Sequence, residues 1–371
     1  MKWHLNIFLL FLHLSSFAQK SLLDDPRLII RINKTLEFVY NLEYDKGDSC
    51  IAVLEHEQGM DHPMVNLIKA FQIFWKARPI AEGTVEYDDY VYFLTQTLNK
   101  SRIMIKDPDL EDEAIFYSLA SAGMLAELYT EEGVSLKVLK QAREAYHFLK
   151  MGFTRTDEFP DFYYSNGLYD YYREKYPEIR PFYKSFLWLF PEGNMERGIE
   201  NLKICMNKGI FTKQMAVLYL FHIYLRYENN GEKALPYAEI LYTSYPQNNR
   251  FKTIYTESLI AERQYNLAEP LAIELAEEER LFFSVPGYTF IAMIAESRKE
   301  YIRAKENYNK ALRLSRTMNK SEFHVVSTIY AGLARIAIAE NDEEAATKNY
   351  KMALKNDPYA PVWIEANAYL D

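Results

Sequence analysis

The chain has 371 residues, a formal net charge of −9 and 49% hydrophobic residues, with only 13 glycines and 14 prolines. That apolar content excludes a disordered tail, and interspersed charges without a concentrated basic face exclude the electrostatic footprint of a nucleic-acid binder. So few turn formers favour long helices over many short strands.

Residues 1–18 read as a secretory signal: Lys2 supplies the positive start, Leu5 to Leu14 an apolar run, and Ser16 and Ala18 the small residues before a cleavage point. Ten apolar residues are too few to span a bilayer, and no later segment reaches 18, so no transmembrane segment is expected in the mature chain. The mature protein is expected to be exported, to the periplasm or outside the cell. Cys50 and Cys205 are the only cysteines and read as small residues buried in helix packing.

From Arg27 the apolar periodicity is helical. Arg27 to Tyr44, followed by Gly47, Ile51 and Leu54, predicts a first helix pair. Pro63 to Ala77 with Val85 to Ile103 predicts a second, and Glu111 to Tyr129 with Gly133 to Met151 a third. In the third, Ala120, Gly123 and Ala126 form a seam of small residues. Phe159 to Tyr176 and Met195 to Met206 predict a fourth pair, interrupted by an aromatic insertion at 180–194. The stretch Phe159 to Phe190 holds 13 aromatic residues. It reads first as an inserted piece of core, and second as a patch through which Phe182–Phe190 makes peripheral contact with a membrane.

The second half repeats itself. Ala234, Ala268, Ala304 and Ala346 recur at spacings of 34, 36 and 42 residues, each opening an apolar helix. Four and seven residues on come Ala238 and Leu241, Ala272 and Leu275, Tyr308 and Ala311, Tyr350 and Ala353, which is one helical face. Upstream of each lies a second face, clearest in Tyr330, Leu333, Ala334 and Ala337. Pro246 and Pro358 stop the second helix of two units.

These residues resemble the tetratricopeptide repeat, a helix pair of 34 residues. Thr256 and His222 depart from it where a small residue is usual. The resemblance implies an all-α, right-handed solenoid of about eight helix pairs with a C-terminal capping helix near Pro361 to Leu370. The expected organisation is a signal at 1–18, divergent pairs over 19–212, and clear repeats with the cap over 213–371. It also implies a concave groove lined by the first helix of each pair. The groove positions fall on Tyr219, Arg226, Tyr227, Arg250, Glu257, Glu296 and Arg335, suited to a protein or peptide partner whose carboxylates the arginines grip.

No reaction motif accompanies the repeats: there is no phosphate loop, nucleophile elbow, G-x-G-x-x-G or H-E-x-x-H. No cofactor or metal is implied, and the reading is a non-catalytic scaffold. The other class considered is a helical hydrolase or metal-dependent enzyme, whose candidates are His56, Asp61 and His62.

Overall fold

A chain this poor in helix breakers folds as helix after helix, and the turns between them decide its architecture. In the computed structural model, residues 21–179, 184–185, 188, 190–318, 323–356 and 358–371 are described. The signal-like segment lies outside them, as does much of the aromatic insertion.

Among the described residues eight helix pairs follow one another: α1 (Pro26–Tyr40) with α2 (Tyr44–Gln58), α3 (Pro63–Ala77) with α4 (Val85–Met104), α5 (Glu111–Glu132) with α6 (Ser135–Gly152), and α7 (Phe162–Ile179) with α8 (Met195–Lys208). Then come α9 (Lys213–His222) with α10 (Gly231–Ser244), α11 (Asn249–Ala261) with α12 (Tyr265–Ala276), α13 (Leu281–Ser297) with α14 (Tyr301–Ser315), and α15 (Phe323–Ala339) with α16 (Glu343–Lys355). The last helix, α17 (Ala360–Leu370), caps the stack. No strand occurs among the described residues, and each helix packs on its neighbours in sequence, so the fold is an all-α solenoid.

Five of the turns inside pairs share one geometry, which the sequence conceals. Leu42, Gly133, Arg263, Lys299 and Asn341 each take a left-handed backbone just past a helix end. The next residue's N–H then donates to the carbonyl five back: Glu43 to Phe38, Val134 to Tyr129, Gln264 to Leu259, Glu300 to Ala295 and Asp342 to Ala337, at 2.8–3.1 Å. This is the Schellman cap, which satisfies stranded helix-end carbonyls and reverses the chain. The turn from α9 is a variant. Ile223–Tyr227 extends the helix with π-type turns, and Asn230 N–H reaches back to Tyr224. The loop after α3 breaks the pattern.

The small residues of the second half sit where helices approach closely. Ala234, Ala268, Ala304 and Ala346 are fully buried, and so are Ala238, Ala272, Ala311 and Ala353. α7 and α8 cross on a pair of glycines: a Cβ on Gly198 would stand 2.7 Å from the Gly167 carbonyl oxygen, and one on Gly167 would stand 2.9 Å from that of Gly198.

First helices touch first helices in the next pair (α1 on α3, α3 on α5, α7 on α9, α11 on α13, α13 on α15), which makes them the inner layer. The winding is tight enough for that layer to meet itself. Tyr40, ending α1, packs against Tyr245 and Phe251 at 5.4 and 6.1 Å, and Trp75 of α3 against Phe251 at 5.3 Å. The Asn248 side chain donates to the Tyr40 carbonyl at 2.7 Å, and Arg280 donates to that of Arg78. One continuous core therefore runs from Leu22 to Ile254, while smaller local cores follow toward the C-terminus.

Candidate functional site

The first helices of successive pairs line the inside of the turn. Between α1, α3, α5, α7 and α9 the inner face encloses a cavity of about 460 Å³. That is within the ~300–1,000 Å³ typical of small-molecule sites. Phe71 and Phe74 on α3, Met124 on α5, Leu168 and Tyr172 on α7 and Tyr219 on α9 supply much of its wall. Gly123, facing it from the middle of α5, has no atom within 4 Å of where a Cβ would sit. The small-residue seam of the third pair is thus partly the floor of this space.

The polar atoms of the wall are mostly committed. Asp161, buried at the head of α7, accepts the backbone N–H groups of Ile210, Phe211 and Thr212 at 3.0, 2.8 and 2.7 Å and the Thr212 hydroxyl at 2.6 Å. Burial pushes its carboxyl up despite these four donors. Ser165 donates to the Phe162 carbonyl and Tyr169 to the Pro191 carbonyl. At the exposed edge, Glu127 pairs with Arg78, which also bonds Glu131, both at 3.1 Å. Arg78 lies over the Phe74 ring at 4.5 Å.

An aromatic ladder runs from the cavity toward the C-terminal half. Tyr164 meets Tyr219 at 5.7 Å, Tyr219 meets Tyr172 at 6.4 Å, and Tyr172 meets Tyr227 at 5.3 Å. Tyr227 then meets Tyr359, which stacks on His324 at 4.4 Å. Burial pushes the Tyr219 hydroxyl up to about 12, so it remains a proton donor at neutral pH. His222 beside it is held neutral, first by burial and then by Arg226 and Arg250.

The seven groove residues expected from the repeat pattern fall into two groups. Tyr219, Arg226, Tyr227, Arg250 and Glu257 surround the inner face next to the ladder. Arg226, buried in the π-type turn, bonds Glu257 at 2.8 Å and the Tyr359 hydroxyl at 2.7 Å, with the Tyr359 ring 4.6 Å away. Arg250 lies over the Trp75 ring at 5.7 Å. Glu296 and Arg335 form a separate network: Arg335 bridges Glu296 at 2.5 Å and Glu365 of α17 at 3.0 Å, and Tyr308 and Tyr350 donate to those carboxylates. All seven thus engage groups of their own chain, four of them through ion pairs. The cavity wall on α3, α5 and α7 was absent from that expectation. Its signal was present as Phe71 with Phe74, Ala120 with Gly123, and Leu168 with Tyr172 at helical spacing, but the divergent repeats hid which face points inward.

His56, Asp61 and His62 go to different tasks. His62 is buried, and its Nδ1 accepts the Met64 N–H to cap α3. Asp61 is exposed and pairs with Lys100 at 3.0 Å, and His56 is exposed in the last turn of α2. Among the described residues no three His, Cys, Asp or Glu side chains are placed to hold a metal ion. Cys50 and Cys205 are unpaired thiols, and burial pushes that of Cys205 well up. Of the segment Phe182–Phe190, only Lys184, Ser185, Trp188 and Phe190 are described; Trp188 is exposed, and Phe190 packs edge-on against Tyr146. Its expected membrane contact lies largely outside the described residues. No described helix is long and apolar enough to cross a membrane. No protein-family model matches the chain, and no curated protein matches it.

Proposed function

We propose that this protein is an exported, tetratricopeptide-type scaffold that holds a protein or peptide partner against the inner face of its solenoid and catalyses no reaction. The observation that carries the reading is the inner face itself. Five successive inner helices leave an accessible aromatic and apolar recess there, while most polar groups around it are spent on internal bonds. A catalytic centre needs polar groups aimed at a substrate, and this wall has few to give. The repeat spacing of the second half supports the family reading, and the signal-like residues 1–18 support export.

The test is cross-linking of the tagged chain in its own cells, with mass spectrometry of what is captured, beside a Tyr172→Ala/Tyr219→Ala variant. The reading expects a reproducible partner that disappears in the variant. Capture of nothing, or of the same partner by both chains, contradicts it.

A further inference from the structure

We infer that the cavity enclosed by α1, α3, α5, α7 and α9 is a binding site for the hydrocarbon tail of a single-chain lipid with an uncharged, hydroxyl-bearing head group. The inference rests on the inner face being the working surface and adds the class of molecule it takes.

Unmet hydrogen bonds decide what can fill the cavity. A peptide main chain, which a partner on the inner face keeps at the rim, carries an N–H and a C=O at every residue, and a sugar a hydroxyl at almost every carbon. Each of these costs free energy if it is buried without a partner. The wall has little to offer them. Asp161 already accepts four hydrogen bonds, Thr212 and Ser165 donate inward to their own chain, and Tyr169 donates to Pro191. What remains among the described residues is the hydroxyls of Tyr164, Tyr172 and Tyr219, the wall tyrosines besides Tyr169. A methylene chain makes no polar demand, and the Phe71, Phe74, Met124 and Leu168 side chains supply the dispersion contacts it needs. Gly123 widens the space where a side chain would otherwise stand.

The mouth specifies the head. Glu127 is half-exposed there, and Arg78 is committed to both Glu127 and Glu131. That guanidinium has no surplus charge for an anionic head, whereas the carboxylates and the tyrosine hydroxyls accept bonds from a neutral polyol.

The test uses the detergent-free, delipidated full chain and a series of 1-monoacylglycerols with eight to eighteen carbons, titrated by calorimetry. One lipid should bind per chain, with affinity rising about fourfold per added methylene and then levelling off as the tail outgrows the cavity. Gly123→Phe places a ring in the space and should weaken binding at least tenfold, while helicity is kept and the thermal midpoint does not fall. Should that variant fold poorly, Met124→Trp serves the same purpose from the next position. Fatty acids of equal length should bind more weakly than the monoacylglycerols. The inference is overturned if no tail binds, if affinity is indifferent to tail length, if the carboxylate forms bind better, or if both filled variants bind as the parent does. These outcomes are separate from the cross-linking. A partner captured through the inner face by a chain that binds no lipid leaves the scaffold reading standing and removes this one.

Discussion

Gly123 sits mid-helix, in helical backbone, with open space where its side chain would be, and both facts set the sign of a substitution there. Gly123→Leu gains about 0.8 kcal/mol from helix propensity alone. Four added carbons at ~0.8 kcal/mol each are worth ~3 kcal/mol if fully removed from water, and about half that against a wall still open on one side. Rotamer freedom lost by the new side chain takes back ~0.5–1 kcal/mol. The expected net is stabilisation by about 1.5 kcal/mol, with Gly123→Ala giving ~1 kcal/mol. Because a solenoid can unfold in stages, urea titrations should follow both helical ellipticity and tryptophan fluorescence, to which Trp75, buried on the neighbouring α3, contributes. Gly123→Ala above the parent with Gly123→Leu below it would refute the open space in front of α5. Both below the parent would refute the helical placement as well.

Three further outcomes follow from geometry elsewhere. Burial pulls the His62 imidazole down to about 4. An unfolded chain takes up that proton near pH 6.5, so stability is unaffected above pH 6.5 and falls by ~1.4 kcal/mol per pH unit below it, until the folded group also titrates. His62→Asn retains a helix cap and should flatten the acid limb of a stability–pH curve, leaving the share due to His222; an unchanged slope argues against a buried neutral His62. Arg263 and Lys299 hold left-handed backbone in Schellman turns, so Arg263→Gly or Lys299→Gly should each raise the thermal midpoint by an amount equivalent to ~0.5–1 kcal/mol. A fall in midpoint would mean that the turn is held by the side chain. Gly198→Ala drives a methyl to 2.7 Å from the Gly167 carbonyl oxygen and the Tyr171 nitrogen. It should destabilise by ~2–3 kcal/mol in the same urea titration, and a neutral result would show that α7 and α8 separate without cost.

Helix content was legible in the sequence because it is a local property. Pro63 to Ala77 is α3 in full, and the other expected helices begin or end within a few residues of their positions in the fold. The eight pairs and the cap could also be read, since a recurring alanine reports two backbones in near contact wherever it lies. Periodicity finds a buried face but does not say which neighbour covers it. The Schellman turns share φ, not residue type, so Leu42, Gly133, Arg263, Lys299 and Asn341 look unrelated until the backbone is seen. The pitch of the winding is a sum of small rotations at every pair, and it alone brings Tyr40 against Tyr245 and Phe251, some two hundred residues away. Local sequence determined the helices and their pairing. The closure of the inner layer, and with it the cavity between α1 and α9, was decided by tertiary packing, because a space enclosed by five helices is a property of their mutual angles and of no single one of them.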